Sequence, residues 1–229
     1  MSTSKPSACA TPQNWNATVN RMTAPTFNGC FAHSWTAEIL PNRPMILPSR
    51  HYVYPAIVEE VERGALEVLV QSNLPGSLPF LATCALGFRD PATPTGIWSC
   101  PNPDWLCAVS GGYAYLIDAV HPENFSMLRY RPVLDVHCYL PDFLDNLPDS
   151  LHKMHDELPV LQSGLLLFAG HHSILAWGRD GEAWESDRLS WEGITNLRIE
   201  GNTLHGEGWD LMTDKDLPFA LDLATGKRI

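Results

Sequence analysis

Positive charge is scarce in this sequence: 15 Lys and Arg stand against 26 Asp and Glu, for a formal net charge of −11. The isoelectric point is near 5.1, and the longest basic run is Lys227-Arg228. Nucleic acid is therefore not an expected partner, because its recognition needs clustered cations to neutralise phosphates. Long apolar runs are missing too. No stretch approaches the roughly 20 residues of a membrane span, and MSTSKPSACATPQNWNATVN has no apolar core of the kind a secretory signal carries. The expectation is a soluble, cytoplasmic chain with no membrane partner. No C-x-x-C joins any of Cys9, Cys30, Cys84, Cys100, Cys107 and Cys138, which sets aside zinc-ribbon and thioredoxin chemistry. Reduced cysteines packed as small hydrophobes are expected instead. The G-x-S-x-G elbow, the Walker A loop and G-x-G-x-x-G are also absent. Ser110-Gly111-Gly112 reads as a turn. Asp210, Asp214 and Asp216 miss the glycine and glutamate of a calcium loop, so neither a metal nor a cofactor is expected.

What is present is β-sheet texture. A hydrophobic share of 45% with 18% charged residues is globular. Residues 1–50, rich in Pro, Ser, Thr and Asn, read as an irregular N-terminal arm, and 51–229 as one mainly antiparallel β domain. Arg63-Gly64 divides two valine-rich runs into a hairpin, although residues 58–69 also suit a short helix. CAVSGGYAYLIDAV is strand, Gly-Gly break, strand, and PVLDVHCYL is a further β-branched run. One segment departs from this. Over 142–158, Leu147, Leu151, Met154 and Leu158 fall at helical spacing and Pro148 suits a first turn. A short inserted helix is expected there, with His152 and His155 three apart on one side. The fold class is thus all-β, an antiparallel meander of propeller-like, sandwich or barrel form, with one short helix.

The stretch LLLFAGHHSILAWGRDGEAW holds the sequence nearest to chemistry. Asp180-Gly181 suits the positive φ angles of a type I′ turn, which pairs Arg179 with Glu182, Gly178 with Ala183 and Trp177 with Trp184. The two tryptophans then share a face as a cross-strand pair. Extended outward, this register puts His171 with Ser173 and Leu175, and His172 with Ile174, Ala176, Glu185 and Asp187. Neighbouring side chains on a strand point to opposite faces, so the two histidines are not expected to hold one ion together. His172 can meet Asp187 diagonally, a contact that would set its tautomer. In the next hairpin, Gly201-Asn202 as the turn opposes Glu200 to Thr203, Arg198 to His205 and Asn196 to Glu207 on a polar face, with Leu197, Ile199 and Leu204 on the other.

Gly170-His171 and Trp209-Asp210 stand at roughly the separation of the paired signatures in WD-type propeller repeats. PFALDLATGKRI, at 218–229, resembles the blade ending of quinone-type propellers. Each motif occurs once, without sister copies. The tail as a whole, GHHSILAWGRDGEAWESDRLSWEGI and HGEGWDLMTDKDLPFALDLATG, is similar to that of an uncharacterised bacterial protein family without an assigned activity. The resemblance implies an all-β fold and transfers no catalytic residue.

With no reactive constellation and with Trp98, Trp105, Trp177, Trp184, Trp191 and Trp209 available as a platform, the expected function is a non-enzymatic binding or interaction module. Its partner would be a protein or a small molecule, and its expected binding residues are Trp177, Trp184, His172 and Asp187. Two alternatives stand beside it. One is a hydrolase assembled from dispersed groups such as His137, His172, Asp187 and the His152-His155 pair. The other is an immunity-type protein whose negative charge neutralises a basic toxin.

Overall fold

The computed structural model describes residues 25–56, 63–141 and 164–229. These residues are all-β, with sixteen strands in four mostly antiparallel sheets. The first sheet runs in the order β2 (Trp35–Leu40), β4 (Ala65–Ser72), β5 (Phe80–Ala85) and β3 (His51–Tyr54), the last pair being parallel. The second is β1 (Thr26–Asn28), parallel to β6 (Gly96–Ser99), then β7 (Trp105–Ser110), β8 (Tyr113–Asp118) and β9 (Phe125–Met127). The third is a meander of β10 (Asp135–Tyr139), β11 (Leu165–Ala169), β12 (Ile174–Gly178) and β13 (Gly181–Glu185). The fourth comprises β14 (Ile194–Glu200), β15 (Thr203–Asp210) and β16 (Lys215–Asp222).

Three apolar layers stack these sheets in that order. Side-chain alternation along each strand divides its residues between two layers. Leu106 and Ala108 of β7 and Tyr115 and Ile117 of β8 face Val68 and Phe80 of the first sheet. From the same strands, Cys107, Val109, Ala114 and Leu116 face Leu166, Phe168, Leu175 and Trp177 of the third. The other face of the third sheet, through Leu165, Leu167, Ile174 and Ala176, meets Leu204, Phe219 and Leu221 of the fourth. The middle strands are buried on both sides, which is why they read as unbroken apolar runs in place of an alternation. Such a row of sheets, each packed on its neighbours in the chain, falls within the expected all-β, mostly antiparallel class. Among the described residues no apolar cluster joins the first sheet to the fourth.

Several expectations change here. Thr26–Asn28 and Trp35–Leu40 lie within the segment read as an irregular arm, yet they are strands. Trp35 is only 1% exposed, and its indole nitrogen donates to the Trp105 carbonyl at 3.1 Å. Together with buried Phe31, whose amide donates to the Ser99 hydroxyl at 2.8 Å, the ring anchors this stretch to distant partners that local propensity does not register. Gly64, at φ 122°, precedes β4 where the hairpin break was expected, but residues 57–62, on its other side, fall outside the described part. So does the helix expected near 142–158, with His152 and His155. The Gly111-Gly112 and Gly201-Asn202 turns are present.

Cys30 and Cys138 are joined in a disulfide, contrary to the expectation of reduced thiols. They are 108 residues apart in sequence, and stacking of the second sheet on the third brings them together. Cys84, Cys100 and Cys107 are free and buried, and burial pushes all three thiols up from the ordinary range. No helix among the described residues is long and apolar enough to cross a membrane.

A cross-link closing so long a loop restricts the unfolded chain. Reduction, or Cys138→Ser, is expected to lower the unfolding free energy by about 2–4 kcal/mol. Urea unfolding curves with and without reductant check this, and superimposable curves would contradict it.

Candidate functional site

The hairpin of β12 and β13 departs from the register that its turn residues suggest. Gly178 pairs with Gly181, so Arg179 and Asp180 form the turn and Gly181, at φ 125°, opens the strand. A bulge follows: Trp177 lies opposite Glu182, whereas Ala176 lies opposite Trp184. The expected Trp177–Trp184 pair is therefore not made, and the two rings lie on opposite faces of the sheet. Trp177 fills the layer between the second and third sheets. Trp184 packs against the layer shared with the fourth, its indole nitrogen donating to the Leu223 carbonyl at 2.9 Å. Burying two large rings in two different layers outweighs the preference of one turn, and the bulge is the device that reconciles them.

That bulge also re-aims one carboxylate, Glu185, onto the face that Glu182 already occupies. Glu182, opposite Trp177, and Glu185, opposite Leu175, now share the face of the third sheet that looks towards the second. There they line a cleft of about 710 Å³ between the two sheets. Its opposite wall is β9 and the segment after it, with Arg129, Tyr130 and Arg131. Its floor is the turn joining β11 to β12, with Gly170, His171, His172 and Ser173.

The turn is held from both sides. The Tyr130 hydroxyl donates to the Ser173 carbonyl, and the Ser173 hydroxyl donates to Glu185 Oε1 at 2.9 Å. Gly170 is required at its position, since a Cβ there would stand 2.7 Å from the Tyr130 hydroxyl oxygen. On the far side the His172 carbonyl accepts from the amides of Leu189 (2.7 Å) and Ser190 (3.2 Å), and the His171 carbonyl accepts from Gly193 (2.9 Å). Burial raises the Tyr130 phenol to about 12, so it stays a neutral donor at physiological pH. Arg131 sits 5.0 Å over the Tyr113 ring, which steadies that wall through a cation–π contact.

The two histidines occupy this turn, where strands were expected to send them to opposite faces. Both are exposed, with ring centroids 6.0 Å apart, and both line the cleft. His172 does not pair with Asp187. Its Nδ1 lies 3.3 Å from the Ser190 carbonyl oxygen and 3.4 Å from Arg188 Nη1, and Arg188 stacks 4.5 Å over Trp191. Asp187 is exposed in the segment after β13 and does not line the cleft. Of the four expected binding residues, the cleft gathers Trp177 and His172 and leaves out Trp184 and Asp187. His137 is also elsewhere, within a strand-local pair with Asp135 at 2.9 Å. The hydrogen bond from His137 holds the Asp135 carboxyl below its usual range. Among the described residues no three His, Cys, Asp or Glu side chains are grouped to hold a metal ion.

Sequence reasoning passed over Arg129, Tyr130 and Arg131. The alternation of cation and aromatic in RYRP was the available signal. Further along, Arg198 faces His205 as expected. Asn196 lies in a bulge at φ 54°, and its side chain still donates to Glu207 at 2.6 Å. No protein-family model matches the chain, and no curated protein matches it.

The Tyr130 anchor generates a pH test. A phenol whose pKa rises from 10 to about 12 on folding contributes stability that is complete below pH 10 and is lost as pH climbs through about 12. The stability gap between the wild type and Tyr130→Phe is expected to narrow across that interval. Tyr54, also raised by burial, titrates in both proteins and cancels in the difference. A gap that stays constant in alkaline urea titrations would contradict the assignment.

Proposed function

We propose that the protein is a binding module whose ligand is received in the cleft between the second and third sheets. The observation that carries this reading is the cleft of about 710 Å³ lined by Trp177, His171 and His172 together with arginines and glutamates. That volume falls within the 300–1,000 Å³ range typical of ligand sites, and the lining offers both an apolar surface and groups that orient a polar partner. Its walls are sheet strands and a turn fixed by five hydrogen bonds, so the site is largely preformed and little ordering cost accompanies binding. The dispersed hydrolase has less support, because His137 and Asp187 do not share the cleft with His172. The Cys30–Cys138 bond favours an oxidising compartment over the cytoplasm expected from composition.

Obstructing the cleft tests the proposal. Ser126, on β9, lines it and is only partly buried. Ser126→Trp is expected to abolish binding of fragment hits while changing stability by no more than about 0.5 kcal/mol. The measurement is a fragment screen by heteronuclear NMR, with hits mapped on the Trp177 indole and the His171 and His172 rings. Hits that map elsewhere and survive the substitution would overturn the reading.

A further inference from the structure

Two sheet edges bracket the cleft. β9 is the terminal strand of the second sheet and β13 that of the third, and neither has a partner on its outer side among the described residues. Both strands contribute to the lining, β9 through Ser126 and Met127 and β13 through Glu182 and Glu185. An outer edge presents unpaired backbone N–H and C=O groups, which an added strand can satisfy. Of the two, β13 is longer, at five residues against three.

Charge is divided across the same space. Glu182 and Glu185 stand on the β13 wall, and Arg129 and Arg131 on the other. Among the described residues neither Arg129 nor Glu182 has an ion-pair partner. In a chain of net charge −11, two arginines facing one cleft are a local concentration of scarce charge.

We infer that the cleft takes an extended peptide segment, paired along the free edge of β13, whose cleft-facing side chains carry both signs of charge. The inference rests on the reading of the cleft as the binding site. A strand laid on β13 directs alternate side chains into the cleft. Basic ones lie beside Glu182 and Glu185, and acidic ones reach Arg129 across the gap. At about 3.4 Å per residue, the five residues of β13 match a peptide segment of comparable length. A second copy of this chain is a poor occupant. Two-fold antiparallel pairing of β13 on itself would gather Glu182 and Glu185 of both copies on one face of the joined strands, and like charges crowded there are destabilising.

Calorimetric titration of the full chain at low ionic strength is the test. The probe is a blocked heptapeptide alternating threonine with arginine, glutamate and arginine. Comparison peptides replace all charged positions by arginine or all by glutamate, and two further versions are N-methylated at alternate residues in either phase. The mixed-charge peptide is expected to bind roughly tenfold tighter than either single-charge peptide. One N-methylated phase, which removes the donors facing β13, is expected to abolish binding. Glu182→Gln and Arg129→Gln, both at exposed positions, are each expected to weaken it about two- to fivefold, the worth of an exposed ion pair, with unchanged thermal midpoints.

Tight binding by both N-methylated peptides would overturn strand addition. A single-charge peptide that equals the mixed one would overturn the two-sign requirement, and absence of binding by the mixed peptide at millimolar concentration would overturn the inference as a whole. Fragment hits that Ser126→Trp blocks would still stand in that last case. Failure of the peptide is thus separable from failure of the cleft.

Discussion

Burial of the middle strands of the second and third sheets on both faces is the constraint from which the rest of the structure follows. A sheet with one wet face tolerates a polar residue at every second position, whereas a sheet with none must find an apolar partner for every side chain. β7, β8, β11 and β12 meet this demand by sending alternate residues into different layers. The chain therefore stacks as a row. Neither middle sheet could be stable alone, because removing a neighbour would return residues such as Phe168 or Ile117 to water, at roughly 1.5–3 kcal/mol each.

The same constraint shapes the cleft. Trp177 and Trp184 pack in different layers, and a bulge sets them on opposite faces of the sheet. The consequence at the surface is that Glu185 joins Glu182 on the face that looks towards the arginines beyond β9. A packing requirement thereby becomes a distribution of charge around a space large enough for a ligand. The Tyr130 hydroxyl and the amides of Leu189, Ser190 and Gly193 then hold the histidine turn in place at the floor. The disulfide between Cys30 and Cys138 strengthens the interface between the two sheets that form the cleft walls.

Much of the strand pattern was legible because period and turn chemistry are local. The Gly-Gly break, the Gly201-Asn202 turn and the polar and apolar faces around it are encoded within a few residues of one another. The Asp180-Gly181 reading missed by one residue, since turn propensity is weak beside the burial of two indoles. Trp35 shows the limit from the other direction. Its surroundings read as irregular, and its fixed position comes from Trp105, 70 residues away. The candidate site was partly visible in Trp177 and His172. Its other wall was not, because RYRP becomes part of a site only when β9 lies beside β13.

The sequence by itself determined an all-β chain, where most turns fall, and the scarcity of positive charge. Each of these depends on a residue and its near neighbours. Tertiary structure alone decided the order in which the sheets stack, the Cys30–Cys138 bond, the placing of Trp177 and Trp184 on opposite faces, and the meeting of arginines and glutamates around one cleft. These are contacts between segments far apart in the chain, and layer packing selects them from many that local pattern permits equally.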